Sequence, residues 1–157
     1  MYKRQEKDEC LNYELIDGVV MMSPSPSREH QQVAGRLFAS LFQQLSATPC
    51  EPLYELDVPF DGDVFKPDVM VFCDETAELP EIIMEILSPS TRHRDLRIKV
   101  VKYEEMGVKE YWIIDPKTRT ITVHDFIGGT AEGYCAGETI QSQARPEIVI
   151  AVDDIFA

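Results

Sequence analysis

The sequence has little positive charge. Its 157 residues include 15 lysines and arginines against 28 aspartates and glutamates, a formal net charge of −13. Nonspecific affinity for nucleic acid comes largely from neutralising phosphates, so this excess of acid argues against a protein whose whole surface binds DNA. It does not exclude a local basic surface, because the distribution of charge matters more than the sum.

Long apolar runs are also missing. No stretch approaches the ~20 residues of a membrane-spanning helix. The first ten residues, MYKRQEKDEC, lack the apolar segment of a signal peptide. These absences predict a cytoplasmic protein with no membrane partner. The length predicts one domain over residues 1–157, with residues 1–12 as a polar lead-in.

Paired metal-ligating cysteines are absent as well. The four cysteines, at positions 10, 50, 73 and 135, are widely scattered, form no CxxC pair and have no histidine at zinc-ligand spacing. We expect four free thiols.

The hydrophobic pattern predicts an α/β protein. A hairpin is expected over residues 13–22 around Asp17-Gly18, followed by an amphipathic helix over 27–45 with Ser25 or Ser27 as its N-cap. A second helix is expected from Arg92 to Met106, stopped by Gly107. The remaining short apolar segments predict strands at 52–60, 69–72, 82–87, 110–114, 120–126, 133–136 and 148–151, and a closing turn at 153–156. This order predicts a central mixed β-sheet flanked by helices, with additional antiparallel strands.

Two of the predicted core strands carry a carboxylate. Asp68 opens the run Val69–Phe72, and Glu85 interrupts the run Ile82–Leu87 with apolar residues on both sides. An unpaired charge in such a place costs several kcal/mol, roughly, or is forced to titrate. Two acids from neighbouring strands form a hard-oxygen site for a divalent cation such as Mg²⁺, and Lys99 on the following helix supplies a positive group.

The motifs in this order resemble the Uma2 family of endonucleases. Pro67-Asp68 followed by Glu85-Ile86-Leu87 is similar to the PD-(D/E)xK nuclease signature, with Leu87 in place of its lysine. The resemblance extends over residues 13–156. Its other matching segments are YELIDG from Tyr13, Glu29-His30, SPST after Leu87, Asp95 with Lys99, and Gly107-Val108 followed by EYW.

The resemblance implies a restriction-endonuclease-like fold and a DNA endonuclease that uses Mg²⁺ or Mn²⁺. Its catalytic residues would be Asp68, Glu85 and Lys99, the lysine replacing the one missing at Leu87. The metal ligands would be Asp68, Glu85 and the backbone carbonyl of Ile86. Glu14 would reach the same acidic cluster, and His30 is a candidate proton carrier near it.

Cations after the acid-bearing strands are candidates for DNA contact. Arg92, Arg94, Arg97 and Lys102 fall within the same short stretch as Lys99, where they form either a basic lip or a solvated helix face. A homodimer is expected, because one small domain offers a single active site for two DNA strands.

Other interpretations compete with the enzyme. The chain can be a non-catalytic module of the nuclease fold that binds DNA or a protein partner, or a metal-dependent hydrolase of another phosphate ester. Each site residue also has an ordinary structural explanation. Asp68 can cap a turn, Glu85 can pair with a buried cation, Lys99 can reach the surface, and His30 can bond a loop near the helix start.

Overall fold

The computed structural model describes residues 11–157; residues 1–10 of the expected lead-in lie outside this range. The chain enters a hairpin of β1 (Leu11–Ile16) and β2 (Val19–Pro24), so β1 starts two residues inside the segment expected as lead-in. Asp17 and Gly18 have φ values of 51° and 74°. Both residues of a type I′ turn need such left-handed angles, which an Asp-Gly pair tolerates. The predicted hairpin is confirmed.

The first helix, α1 (Arg28–Leu45), follows the predicted pattern. Ser27 is its N-cap, because its hydroxyl oxygen accepts a hydrogen bond from the main-chain N–H of His30 at 3.2 Å. The buried side chains recur at every fourth position and face the sheet: Val33, Leu37, Leu41 and Leu45.

Ten further strands and two further helical regions complete the chain. The strands are β3 (Glu51–Tyr54), β4 (Val58–Phe60), β5 (Asp63–Phe65), β6 (Val69–Phe72), β7 (Ile82–Ile86), β8 (Glu110–Asp115), β9 (Thr120–Asp125), β10 (Thr130–Tyr134), β11 (Thr139–Gln141) and β12 (Val149–Ala151). The predicted second helix is present as a π-helical segment, Arg94–Ile98, followed directly by α2 (Lys99–Met106). A short helix, α3 (Val152–Phe156), stands where a turn was expected.

The strands form a central six-stranded mixed sheet and two smaller sheets. The central order is β10-β9-β8-β7-β6-β3, in which only β7 and β8 run parallel among the described strands. A four-stranded antiparallel sheet has the order β2-β1-β5-β4, and β11 pairs with β12. The predicted mixed α/β architecture, with the two acid-bearing strands as neighbours, is confirmed.

Both faces of the central sheet are covered, so its strands carry continuous apolar runs. One face packs against α1 and α3 through a core that includes Met84 and Trp112. The other packs against α2 and the four-stranded sheet through a core that includes Ile83, Tyr103 and Tyr111. No helix among the described residues has the length and hydropathy needed to cross a bilayer.

Several predicted boundaries are wrong. The single strand expected over 52–60 is two strands, because Glu55 turns the chain with φ of 49°. The turn at Asp61-Gly62 leads into β5, which was not predicted. Near the C-terminus the strand expected at 133–136 is β10 instead, and β11 was not predicted.

The expectation of free thiols is wrong for Cys50 and Cys73. Their sulfurs are 2.10 Å apart and form a disulfide, whereas Cys135 is free and exposed. The β3–β6 register pairs Glu51 with Phe72, so the two cysteines next to this pair face each other across the strands. Sequence spacing alone does not reveal such a pairing, because it depends on which strands become neighbours. Cys10 lies outside the described residues.

Glu110 is a fully buried carboxylate with a structural role. Its Oε2 accepts hydrogen bonds from the Trp112 indole and the Ser142 hydroxyl at 2.8 and 2.9 Å. Its Oε1 accepts from the main-chain N–H groups of Gln143 and Ala144 at 2.6 and 2.9 Å. Four donors thus compensate the burial of one charge and attach the loop after β11 to the central sheet.

We expect Glu110→Gln to lower the free energy of unfolding by about 3 kcal/mol, because the amide places a donor where only acceptors fit. Urea denaturation at pH 7 measures the loss. Glu78→Gln makes the same change at an exposed position, and its stability should match the wild type. Equal stability of both variants would contradict a structural role for Glu110.

Candidate active site

A cavity of about 350 Å³ opens where the four-stranded sheet, the start of α1 and the loop after β7 meet. Its lining contains far more acid than base. The acidic residues are Glu14, Glu29, Glu55, Asp68, Glu85 and Asp95, and the lysines are Lys66 and Lys99. Such a cavity repels an anionic phosphate unless a cation accompanies it.

Asp68 and Glu85 are brought together by strand register. Antiparallel β6 and β7 pair Val69 with Met84, so one step further Asp68 lies opposite Glu85. Asp68 shares its face of the sheet with Met70, and Glu85 shares the same face with Ile83, because side chains alternate along a strand. Both carboxylates line the cavity.

The two carboxylates also accept main-chain hydrogen bonds at the point where β6 and β7 diverge. These bonds take the place of main-chain bonds between the two strands. The main-chain N–H of Ile86 donates to Asp68 Oδ2 at 2.7 Å. The main-chain N–H of Asp68 donates to Glu85 Oε2 at 3.4 Å. This reciprocal arrangement fixes both side chains relative to the backbone, so the acids are held in place before any ligand binds.

Lys99 is the centre of a buried ionic cluster. Its ammonium lies 2.6 Å from Glu85 Oε1, 3.0 Å from Glu14 Oε1 and 3.3 Å from Asp95 Oδ1. The residue is 2% exposed, so Lys99 points toward the sheet, and the alternative that it reaches the surface is excluded. Glu14 therefore reaches the acidic cluster.

The π-helical segment explains this placement. A π-helix winds more slowly than an α-helix, so residues four apart lie more nearly on one face. Asp95 and Lys99 thus both turn inward, whereas an ideal α-helix predicts Lys99 only at the border of its apolar stripe. Leu87, which occupies the signature's lysine position, is buried in the apolar core on the same side of the sheet.

An aromatic layer supports the cluster from below. The rings of Phe65, Tyr103 and Tyr111 form edge-to-face contacts, with centroids 5.3 and 4.9 Å apart. The Tyr103 hydroxyl donates to Glu85 Oε1 at 2.8 Å, and the Tyr111 hydroxyl donates to the main-chain oxygen of Asp95 at 3.1 Å. The three rings exclude water from this side of the cluster, and the two tyrosine hydroxyls supply hydrogen-bond donors to it.

Burial governs the protonation of the cluster. Burial raises the pKa of Glu85 well above its usual range; Lys99 opposes the rise, and the charges of Asp68, Asp95 and Glu14 add to it. Burial lowers the pKa of Lys99, but the charges of its three carboxylate neighbours raise it by more. The pKa of Lys99 is therefore well above its ordinary value, and the amine remains an ammonium. Burial also raises the pKa of Asp95.

His30 lies against Asp68. Its Nε2 is 3.2 Å from Asp68 Oδ2, and its side chain is 12% exposed. Burial lowers the pKa of His30, but hydrogen bonding and charge attraction to Asp68, together with a hydrogen bond to the main chain of Ile86, raise it above its ordinary value overall. His30 is thus part of the site, and its imidazole bonds the catalytic candidate Asp68.

The oxygen atoms at the mouth of the site suit a hard divalent cation. Asp68 Oδ1 makes no hydrogen bond with any residue in the described range, and Asp68 retains 20% side-chain exposure. Within residues 11–157, no three His, Cys, Asp or Glu side chains are arranged around a common metal position. A cation here would rely on the Asp68 and Glu85 carboxylates, the Ile86 carbonyl and water, which fits Mg²⁺, since it retains several waters.

The four cations proposed for DNA contact lie outside the cavity lining. Arg92 pairs with Asp115 at 2.7 Å, and Lys102 pairs with Asp17 and Asp63 at 2.5 and 3.0 Å. Arg94 is buried and donates to the Ser23 hydroxyl, while Arg97 is exposed. The pairs join the second helix to β8 and to the hairpin turn.

Sequence reasoning gave no role to several residues of the site. Asp95 was noted only as a family match, although its position four residues before Lys99 is a signal for one shared helix face. Nothing in the spacing of Tyr103 indicates a hydroxyl bonded to Glu85. No sequence pattern indicates that Lys66 lines the cavity.

Comparison with known proteins places the chain in a family. A family model described as "Uma2: Putative restriction endonuclease" matches residues 1–152. No curated protein matches the chain. A solved structure titled as a putative nuclease belonging to DUF820 from Anabaena variabilis ATCC 29413 superposes with a TM-score of 0.83 at 20% identity, covering 98% of this chain and 93% of that one. The fold of the two chains is therefore the same.

We expect Lys99→Met to destabilise the protein by about 3–5 kcal/mol at pH 7, because three buried carboxylates lose their counter-charge. Without Lys99 the folded-state pKa values of Glu85 and Asp95 lie further above those of the unfolded chain, so the folded state binds more protons. The deficit should therefore shrink as the pH falls from 7 to 5. Urea denaturation at both pH values measures it.

Lys102→Met is the matched control for this prediction, three residues along the same helix. It removes a partly exposed lysine with its two ion pairs, to Asp17 and Asp63, and should cost much less, with little dependence on pH in this range. A Lys99→Met deficit that is the same at pH 5 and pH 7 would contradict the buried cluster.

Proposed function

Because this chain belongs to the Uma2 family, whose members are described as putative restriction endonucleases, we propose that it is a metal-dependent endonuclease that hydrolyses DNA phosphodiester bonds. One observation carries the proposal. Asp68 and Glu85 lie opposite each other on neighbouring strands, both line one cavity, and main-chain hydrogen bonds hold their carboxylates. This arrangement supports Asp68 and Glu85 as the acidic pair of a PD-(D/E)xK-type site.

The proposed cation is Mg²⁺ or Mn²⁺, held by Asp68, Glu85 and the backbone carbonyl of Ile86. When bound, it would neutralise the acidic cavity, polarise a phosphate and lower the pKa of a coordinated water. The chain contributes a preorganised arrangement of acids, because strand register and reciprocal hydrogen bonds orient them without a ligand.

Lys99 is proposed as the third catalytic-site residue, acting as a positioning residue. Its ammonium contacts three carboxylates, so its charge is largely used within the protein. It holds Glu85 in one orientation and offsets the free-energy cost of burying that acid. Glu14 and Asp95 complete the set of oxygens around the ammonium and stop it from turning toward the cavity mouth.

His30 is proposed to carry a proton beside the reacting water. Its Nε2 contacts Asp68 Oδ2 at 3.2 Å, and the ring lines the same cavity. An imidazole in that place can accept a proton and return it to the departing oxygen.

A non-catalytic DNA- or protein-binding module is the second candidate. The observation that favours it is the charge of the cavity, where the acids outnumber the lysines and Lys99 is already paired. In that case the acid cluster would stabilise the fold, and no cleavage would follow.

The deciding experiment is a plasmid-nicking assay at low salt with Mg²⁺ or Mn²⁺, run beside titration calorimetry of the metal. We expect Glu85→Gln and Asp68→Asn to lower nicking at least about 100-fold and to abolish metal binding, because each removes a charged ligand. Asp74→Asn is the control, since Asp74 is exposed and does not line the cavity.

Circular dichroism of each variant excludes unfolding as the cause. Nicking that survives Glu85→Gln, or a wild type that binds no metal, would overturn the catalytic proposal. DNA binding without nicking in the wild type would favour the second candidate.

A homodimer is proposed through the outer face of the four-stranded sheet. The strand registers place Tyr13, Leu15, Val20 and Met22 on one face, with Val64 beside Leu15. Tyr13, Val20 and Met22 are 42%, 59% and 59% exposed. In a chain with a net charge of −13, an uncharged apolar face is where two copies can meet without burying like charges.

We expect the wild type to sediment as a dimer at micromolar concentration and Val20→Glu to sediment as a monomer, because the new charge would be buried between copies. Ile127→Glu is the control, since Ile127 is 71% exposed in another part of the fold. Sedimentation velocity measures the mass. A monomeric wild type would contradict the dimer while leaving the nuclease proposal intact.

A further inference from the structure

The substrate phosphate needs a cation that the acid cluster does not provide. Lys99 is enclosed by Glu14, Glu85 and Asp95, so little of its charge reaches the cavity. The arginines and lysine expected to contact DNA do not line the cavity, and Arg92, Arg94 and Lys102 are held by other side chains. A phosphate at the Asp68–Glu85 site would therefore meet mainly negative charge from those elements.

Lys66 is the other lysine of the cavity lining. It directly precedes the Pro67-Asp68 pair, and its main-chain N–H donates to Glu14 Oε1 at 2.9 Å. That bond anchors its backbone to the ionic cluster. Within residues 11–157 its ammonium makes no ion pair or hydrogen bond, and the residue is half-buried. Lys66 is thus a cation at the site whose charge is not used by the described part of the protein.

Hydroxyl groups line the cavity beyond Glu85. The loop after β7 contributes Ser88, Ser90 and Thr91, whose side-chain oxygens are 3.0–3.1 Å apart in two successive contacts. Hydroxyls donate to phosphate oxygens without adding charge. The lining therefore contains a free ammonium and a group of neutral donors around the acids.

From this placement we propose a phosphate-binding subsite in which Lys66 pairs with a non-bridging oxygen of the DNA phosphodiester and the Ser88–Thr91 loop donates hydrogen bonds to it. The flexible stem of lysine lets the ammonium act as a point charge. This inference rests on the proposed function, because it names the residue that receives the substrate of the same site.

The test measures binding and cleavage separately. Fluorescence anisotropy with a labelled DNA duplex in Ca²⁺ gives affinity as a function of salt, and nicking in Mg²⁺ gives kcat and KM. We expect Lys66→Gln to weaken binding about tenfold at low salt and to reduce the slope of log K against log salt by about 0.9, the value of one phosphate contact. KM should rise more than kcat falls.

Two variants serve as controls. Lys66→Arg keeps the charge and should restore affinity to within about threefold of the wild type. Lys109→Gln removes the same charge directly before β8, at the end of the strand away from the cavity, where Lys109 pairs with Glu81. This variant should leave the salt slope unchanged. The melting temperature of Lys66→Gln should equal that of the wild type, because the main-chain bond to Glu14 is retained.

Each outcome decides between the claims. If the wild type nicks DNA and the salt slope of Lys66→Gln is unchanged, the subsite is overturned and the nuclease proposal stands. If the wild type binds DNA without nicking it, and the salt slope is reduced in Lys66→Gln, the subsite is supported and the catalytic proposal is overturned. A wild type that neither binds nor nicks DNA overturns both.

Discussion

The ammonium of Lys99 among three carboxylates is the interaction on which the site depends. Glu85 lies in a core strand, where an isolated charge would cost several kcal/mol, roughly. It is tolerated because Lys99 and the Tyr103 hydroxyl bond the same oxygen. The cluster also joins elements distant in sequence, since Glu14 belongs to β1 and Asp95 to the π-helical segment. Replacing this cation affects the hairpin, the central sheet and the second helix together.

Two of the buried acids, Glu110 and Glu85, have opposite uses. Glu110 is closed off by four donors, so nothing further can reach it. Oε1 of Glu85 is bonded by Lys99 and Tyr103, but within residues 11–157 its Oε2 accepts only a long hydrogen bond from the main-chain N–H of Asp68. Burial alone therefore does not distinguish a structural acid from a candidate ligand. The distinction comes from how completely each oxygen is satisfied and whether a cavity adjoins it.

The sequence predicted the parts of the fold that local patterns determine. The Asp17-Gly18 hairpin, the Ser27 cap, the apolar stripe of α1 and the adjacent acid-bearing strands were all recovered, because each depends on neighbouring residues. The Cys50–Cys73 disulfide was missed since it depends on β3 pairing with β6. The burial of Lys99 was underestimated, because a π-helical turn changes which residues share a face. The resemblance supplied the family, whereas the pairing of Lys99 and the freedom of Lys66 are visible only in three dimensions.

The origin of the cluster in separate segments has a consequence for folding. Glu14 and Lys99 are separated by 85 positions of the chain (99 − 14), and their contact forms only when the hairpin has closed over the central sheet. Loop closure over such distances is slow, because entropy is lost before any contact compensates it. Partly folded chains would therefore expose the acids of the cluster to water as ordinary carboxylates. The complete ionic cluster is therefore a property of the assembled fold, because it needs the hairpin, the central sheet and the second helical region together.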